Sequence, residues 1–128
     1  MIAPPTDEEF DELISRAMDE LPPERIAGLG DVAIVYADEP TPEQMEQLKL
    51  RGDQLLLGLF EGVPLTQRGS GWSGLLPAKI TLFKLPLCRV SRNFDDFREQ
   101  IKHTLWHEIA HFYGLNHADI REREKAGK

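Results

Sequence analysis

Four polar side chains within eleven residues have the types and spacing for hydrolytic chemistry: His107, Glu108, His111 and His117, in His107-Glu108-Ile109-Ala110-His111-Phe112-Tyr113-Gly114-Leu115-Asn116-His117. The stretch reads H-E-x-x-H-x-x-G-x-x-H, and even the shorter H-E-x-x-H arises by chance in roughly one unrelated chain of this length in a few hundred. On a helix, residues four apart lie one turn above each other, so the imidazoles of His107 and His111 converge on a single ion. Glu108 projects about 100° further round the axis, away from an equivalent ligand position and towards a water in the site. That is the place of a general base. Glycine at 114 lets the backbone leave the helix at positive φ and bring His117 back to the same ion. Three imidazoles make a zinc site with a fourth position open to water.

Closed structural zinc sites take four protein ligands. Asp119 is the candidate for a fourth. As a ligand it would close the site and make the chain a non-catalytic zinc-binding regulatory or interaction module; as a helix-capping carboxylate, or one that orients a ligand, it leaves the site open. His103 continues the four-residue spacing, but it stands about 12 Å along the axis from His111 and cannot share a tetrahedral ion with it. It is expected at the lip of the site or simply exposed. An oxyanion donor is not specified by the spacing, and Tyr36, Arg92, His103 and Tyr113 are the candidates.

The setting supports a buried site. Leu105, Trp106, Ile109, Ala110 and Phe112 surround most of the motif helix with apolar side chains, and burying His107, Glu108 and His111 among them without partners costs kilocalories each. With 128 residues the chain is expected to form one domain over 1–128. The formal net charge of −7 disfavours nucleic acid and anionic membranes as partners. The acidic, proline-containing start Met1-Ile2-Ala3-Pro4-Pro5-Thr6-Asp7 is unlike a signal peptide, and no apolar run is long enough to span a bilayer. Together with a single cysteine, Cys88, this predicts a cytoplasmic protein; Cys88 follows an apolar strand pattern and is read as a buried bystander.

The elements that must position the motif are legible in outline. Thr6 and Glu9 form a capping box, and Phe10, Leu13, Ile14, Ala17, Met18 and Leu21 recur at helical spacing until Pro22-Pro23. Val32 to Tyr36 reads as a buried strand. Thr41-Pro42-Glu43-Gln44 starts a short helix to about Leu50. Leu55 to Phe60 and Lys79 to Leu85 read as two further strands, with an exposed glycine-rich loop over 61–74 between them. Asn93, with Asp95 and Asp96 in the first turn, starts the long helix that carries the motif, and Asn116 caps a last helix from about His117. The order is αβαββαα. Alternation of lysine and apolar residues over Lys79 to Lys84 predicts either a half-exposed edge strand, on which a peptide substrate pairs beside the metal, or an edge that lysines protect from aggregation.

These residues support a resemblance. Gly58-Leu59-Phe60-Glu61-Gly62-Val63-Pro64-Leu65-Thr66 is similar to the G-L-x-E-G-x-P-L-T segment of the small bacterial zincin-like metallopeptidases, Ile80 to Phe83 to their strand before the active helix, and His107 to His111 to their metal helix. The resemblance covers most of the chain. It implies an α+β fold, a minimal zincin-like domain in which a small mixed sheet packs on an N-terminal helix and a C-terminal metal-binding active helix. It also implies zinc and hydrolysis of peptide bonds, expected here as endopeptidase activity. Many members carry Asp where this chain has His117. The longer motif is metzincin-like, but no methionine follows Met45 to form the turn found below the metal in metzincins.

Overall fold

The computed structural model describes residues 1–30, 32–65 and 78–115. Helix α1 (Asp7–Glu20) starts at the predicted capping box: the Thr6 hydroxyl accepts from Glu9 N at 3.1 Å, and Thr6 N donates to the Glu9 carboxylate at 2.9 Å. It buries Phe10, Ile14 and Ala17 and ends before Pro22-Pro23. A single helical turn, α2 (Pro23–Ile26), follows, which the sequence pattern does not announce because it is too short to show a period. Strand β1 (Ala33–Ala37) leads to α3 (Pro42–Gln47), opened by a second capping box between Thr41 and Gln44. Helix α3 stops short of the predicted Leu50 because Lys49 turns to φ 56°, and Leu50 N closes back on Met45 O at 3.0 Å.

Strand β2 (Gly58–Glu61) and strand β3 (Lys79–Phe83) complete a three-stranded mixed sheet in the order β1-β3-β2. β3 pairs in parallel with β1, Ala33 opposite Lys79, and antiparallel with β2, Gly58 opposite Leu82. This corrects the expectation that 79–85 is an edge strand. β3 is central, and all of it but Lys79 is buried. The two lysines misled for different reasons. Lys79 lies at the strand's open end, with its amine 3.9 Å from the carboxylate of Glu61. Lys84 is no longer in the strand: it begins helix α4 (Lys84–Val90), where its buried amine meets Asp7 at 2.7 Å, Pro5 O at 3.1 Å and Asp38 at 3.5 Å. Pro86 is tolerated because it falls in the first turn of α4, where its missing N–H has no helical partner to lose.

Asn93 caps the 20-residue helix α5 (Phe94–Tyr113), its side chain accepting from Asp96 N at 2.8 Å. Helix α5 packs on α1 and lies against β2 and β3, so Ile101, Leu105 and Ile109 share one core with Phe10, Ile14, Ile80 and Leu82. α2 clasps its far half: the Tyr113 hydroxyl donates to Arg25 O, and the Arg25 guanidinium stands 4.3 Å from the centre of the Trp106 ring. The expected α+β architecture, a small mixed sheet packed with an N-terminal helix and a motif-bearing helix, is therefore present, with α5 in contact with both α1 and the sheet. The predicted last helix from His117 and most of the 61–74 loop lie outside the described residues. Among those described, no helix is long and apolar enough to cross a membrane.

Candidate active site

Helix α5 is enclosed on most sides from Ile101 to Phe112, and its buried residues include one carboxylate, Glu108, only 6% exposed. His107 and His111 are half-buried beside it, with ring centres 4.5 Å apart. One ligand atom from each of the three side chains lies within 4.8 Å of the other two. Two imidazoles and a carboxylate at that separation are a donor set that can hold a metal ion, and nitrogen donors of this kind suit zinc.

The burial of Glu108 is compensated from a place that spacing along α5 does not show. Its Oε1 accepts a hydrogen bond from the backbone N–H of Phe60 in β2 at 2.8 Å and lies 3.3 Å from His111 Nδ1. The register explains why that N–H is available. Phe83 N donates to Leu57 O, so the odd-numbered residues of this segment bond to β3 and the even-numbered ones turn their backbone groups outward. Phe60 thus presents its N–H on the outer edge of β2, where Glu108 reaches it. In the metal-free site the hydrogen bond and negative charge of Glu108 raise the pKa of His111 above the ordinary histidine value, with burial opposing.

Helix and strand come this close because residue 58 is glycine. A Cβ there would stand 2.7 Å from Thr104 Cγ2, 3.2 Å from Leu82 Cδ2 and 3.3 Å from Glu108 Cγ. In the same segment Gly62 adopts φ 144° while a Cβ would meet Ala78 at 2.8 Å, and Glu61 accepts from Gln44 Nε2 at 3.0 Å, tying the strand end to α3. Gly58 therefore sets how closely β2 approaches α5, while Glu61 and Gly62 fix the far end of the strand against α3 and Ala78. Beside Glu108 lies a cleft of about 260 Å³, lined by Leu56, Leu57 and Gly58 on one side and His103, Thr104 and His107 on the other.

His103 is exposed and lines the mouth of this cleft. The other oxyanion candidates are elsewhere. Tyr113 is engaged with α2, Tyr36 packs edge-on against Phe10 at 5.8 Å, and Arg92 lies 3.7 Å from Asp96 at the opposite end of α5. Gly114 caps α5 in the left-handed conformation, φ 83°, with Gly114 N donating to His111 O and Leu115 N to Ala110 O. The helix therefore runs two residues past the second histidine before the chain turns at Gly114; His117 and Asp119 lie outside the described residues. Cys88 is buried with a raised pKa, chiefly from desolvation, which fits an inert thiol.

Comparison with known proteins agrees with this geometry. No curated protein matches the chain. Among solved structures, a conserved hypothetical protein from Thermus thermophilus is similar in fold, with a TM-score of 0.55 and 24% identity over 95% of this chain and 98% of that one. The model of the zincin-like metallopeptidase family matches residues 29–126, a span that takes in the sheet, the Gly58–Gly62 approach and the whole histidine motif. The chain belongs to the zincin-like metallopeptidase family.

Proposed function

We propose that this protein is a zinc-dependent peptidase, with His107, His111 and His117 holding the metal and Glu108 acting as general base. The observation that carries the reading is the placement of Glu108: a buried carboxylate beside two imidazoles, oriented by Phe60 N and opening onto a cleft. Zinc, when bound, polarises a carbonyl oxygen and makes water acidic enough to deprotonate near neutral pH. Glu108 takes the proton of the attacking water as oxygen bonds to the carbonyl carbon. It then delivers that proton to the amine nitrogen as the C–N bond breaks, and the remaining hydroxyl proton of the new acid passes to the amine, leaving a carboxylate and an ammonium group. The hydrogen bond from Phe60 keeps one carboxylate oxygen fixed, so the other is directed at the water.

The substrate strand belongs on β2. β3 is paired on both sides, whereas β2 has no strand on its outer side among the described residues, and that side faces the cleft. A peptide laid along it meets the outward backbone groups of Gly58 and the carbonyl of Phe60, so its own carbonyls pass close to Glu108. His103, at the lip, is placed to contact the same chain. The test is cleavage of a diverse peptide library by the zinc-loaded protein and by Glu108→Gln, read by mass spectrometry. Cleavage lost in the variant at unchanged zinc content supports the assignment. Equal cleavage by both, or none by fully loaded wild type, overturns it; the second result favours a zinc-binding interaction module.

A further inference from the structure

Leu56 lines two cavities. One is the cleft beside Glu108; the other, of about 530 Å³, opens between α3 and α4. The backbone from Leu55 to Gly58 leads from one to the other, Leu55 and Leu56 walling the larger cavity and Leu56 to Gly58 the smaller. Three residues reach at most about 10 Å, so a peptide bound alongside covers that distance with about three of its own residues. The larger cavity is therefore within reach of a side chain close to the bond being cut.

Its chemistry is selective. Met45, Leu50, Leu55 and Pro86 give it apolar walls, and its charged residues are Glu39, Glu46 and Arg89. Glu39 and Arg89 pair at 2.7 Å and largely cancel. Glu46, exposed on α3, leaves one net negative charge at the rim. An apolar trough with a carboxylate at its edge suits a side chain with a methylene stem and a cationic tip. A carboxylate tip is repelled there, and a wholly apolar side chain gains nothing from Glu46.

The geometry points to this second cavity as a specificity subsite that takes a lysine or arginine side chain of the peptide, two to four residues from the bond beside Glu108. The inference rests on the cleft being a peptide-binding site, and it is tested by binding, independently of hydrolysis. The zinc-reconstituted full-length Glu108→Gln protein is titrated at low salt into short fluorescent alanine–serine peptides whose central residue is lysine, norleucine or glutamate. Anisotropy should show the lysine peptide binding about three- to fivefold more tightly than the norleucine peptide, with the glutamate peptide weakest. Adding Glu46→Gln should level lysine with norleucine, and Glu46→Lys should reverse the order of lysine and glutamate. Asp11→Lys, an equal charge change on α1, should leave the order intact. Norleucine equal to or tighter than lysine, reversal by Asp11→Lys, or no binding of any peptide overturns the subsite. Cleavage by wild type without a basic preference sinks the subsite alone; selective binding by a protein that cuts nothing sinks the peptidase reading alone.

Discussion

Glu108 and His111 share a 3.3 Å contact whose strength depends on protonation, and this makes the pair a sensitive reporter of the site. With the metal removed, the His111 midpoint in an NMR titration should lie above the ordinary value of about 6.5 and should fall in Glu108→Gln, since Glu108 is the largest cause of the shift. The sign follows from linkage. Because folding raises this pKa, the pair's stabilisation of the metal-free protein is fully present below the unfolded value and is lost as pH rises through the higher folded value. Metal binding runs the other way, since His111 must give up its proton to become a ligand, so zinc affinity should weaken as pH falls. An unshifted His111 in the parent would remove the Glu108 contact. In the cleavage assay, Glu108→Gln should reduce turnover by about 10²- to 10⁴-fold. His117 is tested by replacement: Asp should retain zinc at reduced affinity, whereas Ala should lose most of it. If His117→Ala binds as tightly as wild type and only its combination with Asp119→Asn fails, Asp119 is the third ligand.

At the scale of elements, the site depends on two junctions. The first is the approach of β2 to α5 at Gly58. Gly58→Ala should destabilise the fold by about 1–3 kcal/mol, because the methyl group must displace Thr104 or the Glu108 stem, and should lower activity beyond any loss of folded protein. Thermal melts and turnover of the folded fraction check both, and an unperturbed variant would mean that helix and strand are free to separate. The second junction is Lys84, where β3 becomes α4. Its pKa is raised first by the hydrogen bond to Asp7, against the cost of burial. Its stabilising contribution is therefore present below the ordinary lysine value and fades only as pH rises through the higher folded one. Lys84→Met should cost about 1–2 kcal/mol in denaturant unfolding, a modest loss because Asp7 and Asp38 are largely exposed and return to water. These residues also show where periodicity fails. A lysine at each end of an apolar run is compatible with an exposed strand or with a buried one whose final lysine finds carboxylates from α1 and the β1–α3 turn, and only long-range contacts distinguish the two.

For the whole molecule, ligand linkage gives a test that needs no substrate. Zinc at about a hundred times its dissociation constant should raise unfolding free energy by about 2.7 kcal/mol in wild type. The gain should vanish in His107→Ala and on adding a chelator. A melting temperature indifferent to zinc in wild type would refute the metal assignment. Features local in the chain are legible from residue order alone: the capping boxes at Thr6 and Thr41, the start of α5 at Asn93, the left-handed turn at Gly114 and the pairing of His107 with His111. Each depends on neighbours within about four residues, so spacing specifies it. The remaining features join residues far apart in sequence and take shape only in the folded chain. Phe60 N finds Glu108 across 48 positions, β3 lies between β1 and β2, and Leu56 lines both the cleft beside Glu108 and a second cavity. Strand order and edge are set by which apolar faces the long helix covers, and a backbone N–H leaves no mark in the sequence of the bond it will make.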